Sequence, residues 1–174
     1  MGNYRYPKSV KLVIALLGES PQLIEQCIDQ LQSIYGPIDD QMDTIPFEYT
    51  NYYMDEIGQK PFRSLISFKD LIKREYLVDI KIQTNEKELA DFNGLRRVNI
   101  DPGYLTLGQF FLATTKDQRQ RVYIRDGIFM DPTLYFKDKE YHYYDWTYHD
   151  YRSKEYHEFL KRVRKTYHQQ LKSL

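Results

Sequence analysis

Hydrophobic and polar positions change their period several times along the chain, and each change marks an element. Val10 to Leu17 is a short apolar run rich in branched residues, which predicts a buried strand. Ser20-Pro21 then offers an N-cap and a first-turn proline. Leu23, Ile24, Cys27, Ile28, Leu31, Ile34 and Tyr35 recur at helical spacing, and Gly36-Pro37 stops the helix. Aromatics at 47, 49, 52 and 53 predict a strand over 45–53 bent near Asn51, and Phe62 to Phe68 alternates as another. Lys69 to Ala90 sends two signals. Val78, Ile80, Ile82 and Thr84 alternate, but length and the Glu, Lys, Leu and Ala content favour a helix, broken once. Asn93-Gly94 closes it, and Arg97 to Ile100 is a strand.

Asp101-Pro102-Gly103-Tyr104 has the residue order of a type II turn, and Thr106 with Gln109 that of a capping box for a short helix over 107–114. Arg121 to Arg125 and Ile128 to Phe136 form a hairpin about Asp126-Gly127, with Pro132 at an edge or a bulge. Tyr141 to Trp146 follows a turn at 137–140, and Ser153 caps a last helix reaching about residue 170. The pattern predicts one α+β domain over residues 1–174, its sheet mostly antiparallel and its first strand central. The β-α-β-β-α-β order of the first hundred residues matches a ferredoxin-like split arrangement, extended by C-terminal hairpins and a terminal helix.

Composition narrows the class. Lys plus Arg and Asp plus Glu both number 25 in 174 residues, which argues against a globally basic nucleic-acid protein and an acidic disordered one. One cysteine, Cys27, excludes an internal disulfide and fits a reducing cytoplasm. The longest apolar run, Leu12 to Leu17, is too short to span a membrane, so a cytoplasmic location is expected.

The run Arg96-Arg97-Val98-Asn99-Ile100-Asp101-Pro102-Gly103-Tyr104-Leu105-Thr106 resembles the core signature of a bacterial family defined as domain of unknown function 4416. Tyr35-Gly36-Pro37-Ile38, Thr84-Asn85, Ala113-Thr114-Thr115-Lys116 and the stretch from Trp146 to Ser153 carry the resemblance over nearly the whole chain. The chain departs from that pattern at Asp131-Pro132, where strand-forming residues are expected. The resemblance implies a family and no mechanism.

Candidate chemistry therefore rests on the residues. Asn99 and Asp101 lie two apart at a strand end, so both side chains share a face. A polar pair there resembles the way α/β proteins present ligand groups, although the same residues would also satisfy a turn and a neighbouring loop. On a helix, Lys81, Thr84, Asn85 and Glu88 share one stripe, while Asn85 and Glu88 alone would serve as a capping box. Together with Tyr104 these residues define an expected cleft for a small or phosphorylated ligand, with hydrolase or transferase chemistry one use of it. Asp101 and Glu88 would be its acid–base groups, Lys81 an anion partner and Asn99 an orienting donor. No metal is expected: His142, Asp145, His149, Asp150 and His157 lack ligand spacing. GxxxxGK and GxSxG are absent, and no cofactor is indicated.

A rival reading is a non-catalytic RNA- or protein-binding surface. Nine of the 17 tyrosines fall between Tyr123 and Tyr167, and from Arg152 onward the chain carries a net charge of +5. Tyr148, Tyr151, Arg152, Arg162 and Lys165 would form that surface.

Overall fold

The first strand, β1 (Val10–Gly18), is buried along its whole length, because helices cover both faces of the sheet it centres. The computed structural model describes residues 2–48, 60–90 and 97–173. The sheet adds β2 (Ile38–Gln41), β3 (Ile45–Pro46), β4 (Phe62–Ile72), β5 (Val98–Leu105), β6 (Gln109–Thr114), β7 (Val122–Arg125), β8 (Ile128–Lys137) and β9 (Glu140–Tyr143). The helices are α1 (Pro21–Tyr35), α2 (Tyr76–Ala90) and α3 (Lys154–Lys172), with a 3-10 turn at His149–Arg152. Strands run in the order β2-β4-β1-β5-β6-β8-β7, with β3 on β4 and β9 on β8, every pairing antiparallel.

Alternation along β1 builds two cores. Leu12, Ile14 and Leu16 meet the α1 stripe Leu23, Ile24, Cys27, Ile28 and Leu31, with Ile80 of α2. Val13 and Ala15 face the other way, against Tyr156, Phe159, Leu160, Val163 and Tyr167 of α3. Local signals hold at the helix ends: Ser20 Oγ accepts from Leu23 N, Gly36 closes α1 with φ 92°, and Ser153 Oγ accepts from Tyr156 N. Asp126 and Gly127, with φ 53° and 76°, make the predicted hairpin turn. The predicted strand beyond residue 48 and the stop at Asn93-Gly94 lie outside the described residues.

Three expectations are corrected. Lys69 to Ile72 belong to β4, so the helix of this segment is α2 alone. Asp101 to Tyr104 is no turn but the middle of β5, paired with Val13 to Ala15 of β1 at 103, 102 and 101. The predicted helix over 107–114 is instead a turn and strand β6. The capping hydrogen bonds exist, from Gly108 N and Gln109 N to Thr106 Oγ1, but they tighten the β5–β6 hairpin. A Thr side chain that caps a helix also closes a turn, and sequence spacing does not separate the two. Pro132 stays in β8 at a bulge: Phe110 pairs Leu134 and Phe111 pairs Pro132, leaving Thr133 unopposed.

The β5–β6 ladder sets up the site. β6 pairs β5 only at Gly103, Tyr104 and Leu105, then continues along β8. Among the described residues, Val98 to Pro102 have β1 on one side and no strand on the other. Gly103 marks the crotch of this split, where a Cβ would stand 2.2 Å from the Phe111 carbonyl oxygen. Ile100 turns its backbone groups away from β1, and two residues on Pro102 turns its nitrogen to the same open side. A proline is tolerated there because no ladder bond is asked of it.

Candidate functional site

Side chains of α2 close the open edge. Lys81 Nζ donates to Ile100 O at 2.9 Å, and Glu88 accepts from Ile100 N through Oε1. Two helical turns thus stand in for the missing strand, which is why Lys81 and Glu88 are buried despite their charge. Beside them a cavity of about 890 Å³ opens on the α3 face of the split. Lys81, Asn85, Glu88, Asn99 and Asp101 all line it. Five of the seven predicted site residues therefore converge.

Asp101 is the best connected. Asn99 Nδ2 donates to its Oδ2 at 2.5 Å and Lys81 Nζ to its Oδ1 at 3.3 Å, with the carboxylate side chain 26% exposed. Burial pushes its pKa up, but the charges of Lys81 and Arg63 and the hydrogen bonds from Asn99 and Lys81 outweigh it. The net result is a carboxyl held below its ordinary value. Asn85, half-buried between Lys81 and Glu88, has no hydrogen-bond partner among the described residues.

The other two predicted residues lie elsewhere. Thr84 Oγ1 donates to Lys81 O at 3.0 Å inside its own helix and does not line the cavity. Tyr104 is an odd number of residues from Asp101 on one strand, so it points to the opposite face. There it packs on Phe111 and donates to Met130 Sδ at 3.4 Å. The assumed turn at 101–104 had hidden that alternation.

Distant segments complete the lining, and sequence spacing did not reveal them. Arg63 of β4 pairs with Asp150 of the 3-10 turn at 2.8 Å, with the Phe47 ring 5.1 Å and the Tyr151 ring 6.0 Å from its guanidinium carbon. Across the cavity Arg121 donates to Asp131 at 2.7 Å, to Lys116 O at 2.9 Å and to the Tyr148 hydroxyl at 3.3 Å. Burial raises the Asp131 pKa above the ordinary value against the pull of Arg121. One signal was legible: Arg63 shares a strand face with Leu65 and Ser67, opposite a mainly apolar face of Phe62, Ser64, Ile66 and Phe68. A charge inside such a strand needs partners.

Of the residues proposed for a nucleic-acid or protein surface, Tyr148, Arg162 and Lys165 are exposed, Arg152 is half-buried and Tyr151 is buried. Tyr141, Tyr156 and Tyr167 are buried as well. Arg152 donates to Thr147 O at 2.9 Å and Asp145 O at 3.0 Å, and Arg162 to both oxygens of Asp40 at 3.0 and 2.9 Å. Among the described residues no group of three or more His, Cys, Asp or Glu could hold a metal ion, and no helix is long and apolar enough to cross a membrane.

The fold is an antiparallel sheet with helices on both faces, and its candidate site is a polar cavity where two neighbouring strands part. The chain belongs to the family described as Domain of unknown function (DUF4416), whose model matches residues 8–167. No curated protein and no solved structure matches it.

Proposed function

We propose that this domain binds a small polar molecule, of nucleotide or sugar-phosphate size, in the cavity at the β5–β6 split. The observation that carries the reading is the convergence of Lys81, Asn85, Glu88, Asn99 and Asp101, from two elements, on one cavity. Its volume of about 890 Å³ falls within the range of small-molecule sites, roughly 300–1,000 Å³. Glu88 and Lys81 hold the strand edge, so their part in ligand chemistry is to fix the wall that Asn99 and Asp101 project from. Asn85 offers a free amide. Asp101, kept ionised by its neighbours, is the group suited to accept a ligand hydroxyl or a proton, and any hydrolase or transferase chemistry would start from it.

The test is native mass spectrometry of protein purified from its host, followed by thermal unfolding against a metabolite panel. A ligand at a hundred times its Kd adds about 2.7 kcal/mol of stability. Asn85→Ala should remove most of that gain. No retained molecule and no stabilising metabolite would overturn the reading.

A further inference from the structure

Within that cavity the polar groups do not balance. Arg63 is 4% exposed, and among the described residues Asp150 is the one carboxylate that accepts a hydrogen bond from it, at Nη2. Nε and Nη1 of the same guanidinium are buried with no acceptor. The hydroxyl of Tyr151, a residue 2% exposed whose ring centroid lies 6.0 Å from the guanidinium carbon, also has no partner. Burial pushes the Tyr151 pKa well above the ordinary phenol value, so this oxygen keeps its proton and can donate.

Asp101, Asp150 and Asp131, the aspartates that line the cavity, each already receive at least one donor. Asp101 receives Lys81 on one oxygen and Asn99 on the other. Asp150 Oδ2 receives both Arg63 and the Tyr156 hydroxyl, and Asp131 receives Arg121. The surplus on this wall is three N–H and O–H donor atoms, two on a cation. An unmet buried donor is costly to a fold, and more so when it is charged. A fold retains such a set where something else supplies the acceptor.

We infer that Arg63 and Tyr151 form an oxyanion seat on the inner wall of the cavity, taking a phosphate or carboxylate group of the bound molecule. This rests on the small-molecule reading and adds which end of the ligand enters first. Phe47 and the Tyr151 ring flank the guanidinium, excluding water from the anion and fixing the plane from which it is met. The outer groups, Asn85 with Asn99 and Asp101, are left for the neutral or hydroxyl-bearing part.

The probes are inorganic phosphate and acetate, each compared with chloride at equal ionic strength in thermal unfolding of the whole chain. One of them should raise the wild-type Tm saturably, and which one does identifies the oxyanion. Tyr151→Phe keeps the ring and removes only the unmet hydroxyl, so the anion-free protein should be at least as stable as wild type. Its affinity for the effective anion should fall about tenfold or more, the loss expected for a hydrogen bond to a charged group. A purely structural Tyr151 would give no such fall. Arg63→Lys should abolish the response, and Lys165→Ala on the surface should leave it whole.

Neither anion acting on wild type, or full affinity retained in Tyr151→Phe, overturns the seat. The wider reading fails separately. A co-purified metabolite that still binds Arg63→Lys and Tyr151→Phe but not Asn85→Ala sinks the seat and leaves the cavity's role standing.

Discussion

Two buried cations lie on the same face of the sheet, at opposite ends of the β1–β4 ladder. Lys11 opens β1, while Arg63 pairs in register with Leu17 near its end, six residues or about 20 Å away. Lys11 is fully enclosed, and its three donors meet Asp39, Gln170 Oε1 at 3.0 Å and Lys69 O at 3.4 Å. The partners are themselves tied: Ser67 Oγ donates to Asp39 at 2.6 Å and Gln170 Nε2 to Lys69 O at 2.7 Å. Arg63 has one carboxylate and two idle nitrogens. A closed network ties β1, β2, β4 and α3 together, whereas an open one beside a cavity has capacity for a ligand. Burial of charge alone does not distinguish structure from function; the count of satisfied donors does.

Cutting the closed network should give the largest effect. Lys11→Met leaves Asp39 and Gln170 without their shared cation and should cost about 3 kcal/mol in urea unfolding. A loss below about 1 kcal/mol would mean the network is no more than a replaceable contact, and the contrast with Arg63 would fall. At the other end, Gly103→Ala drives a methyl into the Phe111 carbonyl and should cost about 2 kcal/mol by forcing β5 and β6 apart. A neutral result would show that the split is not anchored at Gly103.

The pH dependence sharpens the same comparison. The Asp101 pKa is lower in the folded protein, so its contribution is complete above about pH 4, the ordinary aspartate value, and is lost as pH falls through the folded value. Asp101→Asn should therefore flatten the loss of stability as pH falls below about 4, measured as urea midpoints. An unchanged acid limb would show that the cationic wall does not act on Asp101. Smallest of all, Asn85→Ala should shift ligand-free stability by less than about 0.5 kcal/mol, since its amide supports nothing. A larger loss would make Asn85 a structural residue and weaken the cavity reading.

Much of the fold was legible because it is locally encoded. Ser20-Pro21, Asp126-Gly127 and the α3 stripe each carry their own geometry in neighbouring residues. So did half of the site: helical spacing grouped Lys81, Asn85 and Glu88, and strand spacing grouped Asn99 with Asp101. Pro102-Gly103 misled, because its usual meaning presumes a chain free to turn. Here β1 holds the segment straight, and the split strand edge excuses the missing N–H. Arg63, Asp150 and Arg121 were out of reach for another reason. The Arg63–Asp150 contact spans 87 positions, and no local periodicity encodes a meeting across that distance.

The place of α3 bears on how the protein is made. Tyr167 donates to Ser9 O at 2.7 Å and Gln170 reaches Lys11, so this helix seals the face beginning at β1. During synthesis at about 5–20 residues per second, β1 emerges on the order of ten seconds before its cover. Until α3 has been made, Val13, Ala15, Leu65 and Leu105 lack the side chains of Tyr156, Phe159, Leu160 and Val163 that share their core. The face that α3 seals is therefore the last to be covered as the chain is made from its N-terminus.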